Sequence, residues 1–202
     1  MGLPSKIIQP VKLIFATNNK HKLEEFQLAI GNQVEIISLA EAGIEKDIPE
    51  PYETLKENAY EKAQTIHQLS GGENCFSEDT GLEVDALGGE PGVHSARYAG
   101  EPVSYSNNTR KLIRALADSS NRRARFITVI CLILNGNEFF FEGRCEGQIL
   151  RTPSGISGFG YDPVFLPDGS TKSFAEMKPE EKNLFSHRRK AGDLLIAFLK
   201  KN

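Results

Sequence analysis

Cys75-Phe76-Ser77-Glu78-Asp79-Thr80-Gly81-Leu82 reads as a short apolar strand running into a glycine turn, with two adjacent carboxylates and a hydroxyl at its end. Strand ends of open α/β sheets face the crevice where ligands usually bind, so the stretch places acidic groups at a candidate site. Two neighbouring acids repel each other and are expensive to hold together without a cation. A hard divalent ion such as Mg²⁺ removes that cost, and it prefers oxygen ligands together with a polyphosphate. A solvated acidic turn is the plainer reading, and the flanking segments decide between the two.

Toward the N-terminus, residues 12–16 (KLIFA) form a predicted buried strand, ended by the polar Thr17-Asn18-Asn19. From Lys20, the spacing of Leu23, Phe26 and Ile30 predicts a helix stopped by Gly31. Residues 34–37 read as a second strand, followed by an irregular acidic segment through Pro49-Glu50-Pro51. Thr54 and Glu57 have the spacing of a capping box, opening a helix that turns Leu55, Ala59, Ala63 and Ile66 inward. Past the acidic strand lie a turn-rich segment at 87–92 and a helix through Leu112, Ile113 and Leu116. Residues 126–134 are almost unbroken apolar sequence, as in a central strand covered on both faces. Asn135-Gly136-Asn137 is a hairpin signal, returning through 139–141. A glycine-rich loop at 155–160 precedes a short strand at Pro163-Val164-Phe165, and the last helix carries Ala191, Leu194, Leu195, Phe198 and Leu199 in one stripe. Strands alternating with helices predict an α/β fold, without internal repeats or a linker.

The 202 residues suit a single domain, or two lobes sharing one sheet, over residues 11–202 behind a flexible tail at 1–10. Cys75, Cys131 and Cys145 have no C-x-x-C spacing and no histidine pair nearby, which reads as reduced buried thiols rather than disulfides or zinc ligands. The first ten residues lack the apolar core of a signal peptide. No apolar run approaches the ~20 residues of a membrane span, so the expected location is the cytoplasm, with no membrane partner. A net charge of −3 argues against a nucleic-acid groove, and an anionic ligand would need cations gathered in one cleft.

Cations do gather at two predicted helix starts. Lys20, His21 and Lys22 open the first helix; His187, Arg188 and Arg189 open the last, behind Ser186 as N-cap. A cation there is unfavourable by about 0.3–1 kcal/mol unless an anion is present. Amides and lysines at such an end bind phosphate. The pattern occurring twice beside an acidic site points to a polyphosphate. Thr17-Asn18-Asn19-Lys20 matches neither a Walker loop nor a dinucleotide fingerprint. In residues 157–163 (SGFGYDP), glycines flank Phe159 and would let a planar ligand reach its ring, and Asp162 could accept from a base edge. Such stacking contributes ~1–3 kcal/mol per base. A core phenylalanine with turn glycines is the alternative.

Five separated motifs carry a family resemblance: FATNNKHK (15–22), SEDTGLEVDALGGEPG (77–92), SARYAG (95–100), GFGYDPVF (158–165) and EKNLFSHR (181–188). From Ile14 to about Phe198 the chain resembles the inosine/xanthosine triphosphate pyrophosphatase family. The resemblance implies a long, mixed, twisted sheet flanked by helices, with the active-site cleft between two lobes, and a homodimer. It implies Mg²⁺-dependent hydrolysis of ITP, dITP and XTP to the monophosphate and pyrophosphate. By it, Thr17, Asn18, Asn19, Lys20, His21 and Lys22 would bind the triphosphate. Asp79 would be the central acid, as metal ligand or general base, with Thr80 touching substrate. Phe159, Gly160, Tyr161, Asp162, Lys182, His187 and Arg188 would hold the base. Glu50, in Asp47-Ile48-Pro49-Glu50, would be a second metal carboxylate, and Glu78 would ligate the metal or support it from behind. Asn18 departs from the family's common glycine, which suggests a positive φ that asparagine tolerates. The Ser95-Ala96-Arg97-Tyr98 segment has no role readable from sequence. Rival readings are a pyrophosphatase for other modified nucleoside triphosphates, a non-catalytic nucleotide-binding protein, and a nucleic-acid-binding module that the acidic balance disfavours.

Overall fold

The computed structural model describes residues 11–46 and 48–201, so the expected tail at 1–10, and Asp47, lie outside the described residues. Strand β1 (Val11–Phe15) pairs in parallel with β2 (Val34–Ile37) on one side and with the start of β3 (Cys75–Val84) on the other. On its second edge β3 runs antiparallel to β5 (Arg123–Leu134), which turns back into β6 (Asn137–Ile149). The two-residue β4 (Pro91–Gly92) pairs with the far end of β3, and β7 (Phe165–Pro167) closes the other margin beside β6. The described strands thus form one seven-stranded mixed sheet in the order β2-β1-β3-β5-β6-β7, with β4 on β3.

Helices cover both faces. Along β5 the pleat sends Ile127, Val129, Cys131 and Ile133 into a core with Ala59, Ala63 and Ile66 of α2 (Leu55–Leu69). Ile130 and Leu132 go to the opposite core, with Phe26 of α1 (Lys20–Ile30) and Ala191 and Leu195 of α5 (His187–Leu199). That double burial is why the strand is apolar at nearly every position. A third core joins Leu82, Phe126 and Phe165 to Leu112 of α3 (Tyr105–Ala115) and to Phe174. A one-turn helix, α4 (Pro179–Lys182), leads into α5. No described helix is long and apolar enough to cross a membrane.

Local signals set most boundaries. Gly31, at φ 62°, ends α1, and Thr54 caps α2 by accepting from the Glu57 N–H at 3.2 Å. The β5–β6 hairpin is closed by Asn135 and Gly136, both at positive φ as a type I′ turn requires. Three expectations need correction. Gly81 makes no turn: it pairs with Ile127 inside β3, and a Cβ there would lie 2.7 Å from the Gly92 carbonyl oxygen. Residues 162–164 form a 3₁₀ turn and the strand starts at Phe165, because Pro163 has no N–H for a ladder. Leu194 is exposed, lying roughly 100° around the helix from buried Leu195, and Ile196 is buried instead.

Candidate active site

The gap in the sheet defines the site. β1 ends where Phe15 meets Phe76, and β4 begins only opposite Leu82 and Glu83. Between them, among the described strands, residues 77–81 of β3 have a neighbour on the β5 side alone. Glu78 and Asp79 therefore sit in mid-strand beside an open notch, not at a strand end. Side chains alternate along a strand, so the two acids point to opposite faces and do not share one cation. Each has its own lysine. On the α2 face, Lys62 Nζ lies 3.3 Å from Asp79 Oδ1 and also bonds Glu50 Oε1. On the α1/α5 face, Lys22 Nζ lies 2.6 Å from Glu78 Oε1, and Arg188 Nε 3.7 Å from Oε2.

The charges respond accordingly. Burial dominates at Asp79 and, with Glu50 close by, raises its pKa to about 6 against the pull of Lys62. Burial also opposes the charge on Glu78, but Lys22 and Arg188 outweigh it and hold that carboxyl far below the usual range. Lys62 loses solvent too, yet Asp79, Glu50 and Glu78 together push its pKa up and keep it an ammonium. Glu50 is buried in part, and Lys62 draws its carboxyl below the ordinary value.

At the start of α1, Asn19 accepts from the His21 and Lys22 N–H groups at 3.0 and 3.3 Å, and Thr17 Oγ1 accepts from the Asn19 N–H at 3.2 Å. Asn18 is exposed, and its expected positive φ is absent: among the described non-glycine residues only Asn135 has one. The turn is made by side-chain acceptors, so it needs no left-handed residue. Lys22 points to Glu78, whereas Lys20 lies exposed at the helix start. A hollow here is lined by Thr17, Asn18, Asn19, Lys22, Glu50 and Lys62.

A second hollow, sharing Asn19, Lys22 and Glu50 with the first, continues past Asp79 and Thr80 to Phe159 and Arg188. Phe159 is half-buried, with the His21 ring stacked on it at 5.2 Å and the Arg188 guanidinium carbon 5.2 Å from its centroid. Asp162 is buried, taking the Phe159 N–H at 3.0 Å and Lys182 Nζ at 2.6 Å. A Cβ on Gly158, at φ 74°, would come within 2.1 Å of Asp162 Oδ2, so the loop folds onto that carboxylate only with glycine there. Tyr161 is buried and donates its hydroxyl to the Ser95 carbonyl at 2.9 Å, while the Gly160 carbonyl accepts from Thr109 at 3.3 Å. His187 is not a cation at the opening of α5. It is 1% exposed, stacks on Phe126 at 4.6 Å, and is kept neutral by burial and by Arg188 and Lys182. Gly143 in β6 lets this turn of α5 lie on the sheet, since a Cβ there would be 2.1 Å from the His187 carbonyl oxygen.

Four residues at the site went unread in the sequence. Lys62 is 6% exposed, and its signal was a lysine amid the inward stripe of Ala59, Ala63 and Ile66. Glu25 accepts from both Lys182 and Arg188, and these cations, against the cost of burial, hold its carboxyl below the usual range. Thr128, the one hydroxyl in the apolar run of β5, hydrogen-bonds Thr80, which donates to Glu78. Arg97 donates to the Glu50 carbonyl at 3.1 Å, which gives the Ser95–Arg97 turn its place behind the acidic loop.

A divalent metal can be tested against these donors. Among the described residues no three His, Cys, Asp or Glu groups converge on one point. Two carboxylates do converge, around the Lys62 ammonium, and Asp79 Oδ2 is buried without a hydrogen-bond partner. One or two carboxylates with phosphate oxygens and water are what Mg²⁺ prefers, so Glu50 and Asp79 fit it.

A relative from Porphyromonas gingivalis named dITP/XTP pyrophosphatase is 53% identical over 189 residues, which is 93% of this chain and 97% of its own. Solved Ham1 proteins superpose over nearly the whole chain. The one from Staphylococcus aureus has a TM-score of 0.85 at 37% identity, covering 94% of this chain and 98% of its own. The one from Coxiella burnetii has a TM-score of 0.86 at 35% identity, covering 95% and 100%. The profile of the Ham1 family matches residues 13–198, and with these likenesses it places the chain in that family.

Proposed function

We propose that the chain hydrolyses dITP, ITP and XTP to the nucleoside monophosphate and pyrophosphate, with water attacking the α-phosphorus. The name carried by the Porphyromonas gingivalis relative supports the substrate class. The observation that carries the reading is a pair of adjoining hollows, sharing Asn19, Lys22 and Glu50, that hold the Asn19-capped start of α1, the Glu50–Lys62–Asp79 group, and Phe159 beside Lys182 and Arg188. Their far ends suit a triphosphate and a planar base.

Phosphoryl transfer is catalysed mainly by positioning and charge stabilisation. Lys22 and the first amides of α1 would bind the pyrophosphate end, and Lys62 would meet charge near the α-phosphate. Asp79 is suited to accept a proton from the attacking water at near-neutral pH. Mg²⁺ held by Glu50 and Asp79 would, when bound, neutralise phosphate charge and acidify its water. Lys182 and Arg188 would donate to the 6-oxygen of hypoxanthine or xanthine. Adenine offers an amino donor at that position and accepts from neither cation, and sites built on such bonds discriminate by roughly 10⁴–10⁵. The wider reading is a two-lobed cytoplasmic enzyme acting as a homodimer.

Pyrophosphate release from ITP, dITP, XTP, GTP and ATP, with and without Mg²⁺, tests the proposal. Strong Mg²⁺-dependent turnover of the first three is expected. ATP cleaved as fast as ITP would refute the selectivity, and nucleotide binding without turnover would favour the non-catalytic reading.

A further inference from the structure

His21 and Glu25 stand four residues apart on α1 and so share one face of that helix. Both contact residues that the proposed function assigns to the base. The His21 imidazole lies 5.2 Å from the Phe159 ring with 14° between the planes, the near-parallel contact a purine would make. Glu25 sets Oε1 2.6 Å from Lys182 Nζ and Oε2 2.7 Å from Arg188 Nη1. Those are the two donors assigned to the 6-oxygen. The protein itself thus supplies a flat ring on the stacking platform and an oxygen on each cation.

Neither cation depends on Glu25 for an opposing charge. Lys182 also bonds Asp162 at 2.6 Å, and Arg188 lies 3.7 Å from Glu78. Of these three acids Glu25 is the one that can leave. Its side chain is 21% exposed, against 5% for Asp162 and 0% for Glu78. His21 and Glu25, with Phe159 and Lys182, line one hollow of about 420 Å³ that also reaches away from the cations to Leu28 and Asn183. That space can receive the displaced side chain.

We propose that His21 and Glu25 are an internal occupant of the base subsite, which the nucleotide must displace. This rests on the base subsite assigned above. The apparent affinity then falls by the fraction of molecules in which the pair is withdrawn. A base that displaces the pair completely meets the same penalty whatever its identity, so the device sets affinity and leaves selectivity to Lys182 and Arg188.

Calorimetric titration of the full chain with inosine monophosphate, and separately with inorganic tripolyphosphate, tests this. Glu25→Ala and His21→Ala should each tighten inosine monophosphate binding several-fold, toward about tenfold, with no gain for tripolyphosphate. Unchanged or weaker monophosphate binding in either variant overturns the proposal. So does an equal gain for tripolyphosphate, which has no base. Should Glu25→Ala lower the melting temperature, Glu25→Gln decides: it keeps the shape, loses the charge and should still tighten binding. ITP turnover by the native chain is read alongside, because its failure would sink the proposed function, whereas weaker binding in the variants sinks the internal occupant alone.

Discussion

Asp79 combines burial with a shared ammonium, and both effects are measurable. Asp79→Asn removes a desolvated carboxylate while keeping its shape, so turnover should fall by at least ~10²-fold with the melting temperature held or raised. Steady-state pyrophosphate release and calorimetry check the two halves. The sign of its pH dependence follows from a folded pKa of about 6 against the ordinary 3.8. The fold binds this proton more tightly than the unfolded chain, so Asp79 costs stability increasingly as pH rises from about 4 to 6. Metal binding needs the ionised form. Mg²⁺ affinity measured at pH 5 should therefore be about tenfold weaker than at pH 7, and a flat profile would contradict that expectation. Lys62→Met strands Glu50 and Asp79 beside one another without their cation. Denaturant unfolding should show a loss of about 3–5 kcal/mol. The acids, the basic helix starts and Phe159 were all legible in the sequence as residues. Their pairings were not, because Lys62 and Glu25 reach the site from helices whose apolar stripes had already accounted for them.

The elements explain which parts of the reading carried over. Periodicity gave α1, α2 and α5, and the Asn135-Gly136 turn gave the β5–β6 hairpin, because those signals are local. Gly81 misled because its reason is distant: the Gly92 carbonyl passes where a side chain would stand. Reading a turn there put Glu78 and Asp79 at a strand end, whereas an unbroken strand sends them to opposite faces. Gly143 is the same kind of position and is open to test. Gly143→Ala would drive a methyl into the first turn of α5 and displace Arg188. A loss of about 1–3 kcal/mol in denaturant unfolding is expected, together with a raised KM for ITP, and a neutral result would mean that α5 can shift at little cost.

At the scale of the molecule, one sheet positions three segments of the candidate site. The first follows β1 (Val11–Phe15), the second lies within β3 (Cys75–Val84), and the third runs from β6 (Asn137–Ile149) through α4 to α5. The notch between β1 and β4 has a consequence for the isotope labelling of the backbone. The Ala16 N–H donates to the Phe76 carbonyl and the Leu82 N–H to Ser95, so the even-numbered peptide groups of β3 face that edge. By the two-residue alternation the amides of Glu78 and Thr80 face the gap, while that of Asp79 faces β5. Deuterium should enter at Glu78 and Thr80 well before Asp79 in the free protein, and a nucleotide filling the notch should slow those two positions most.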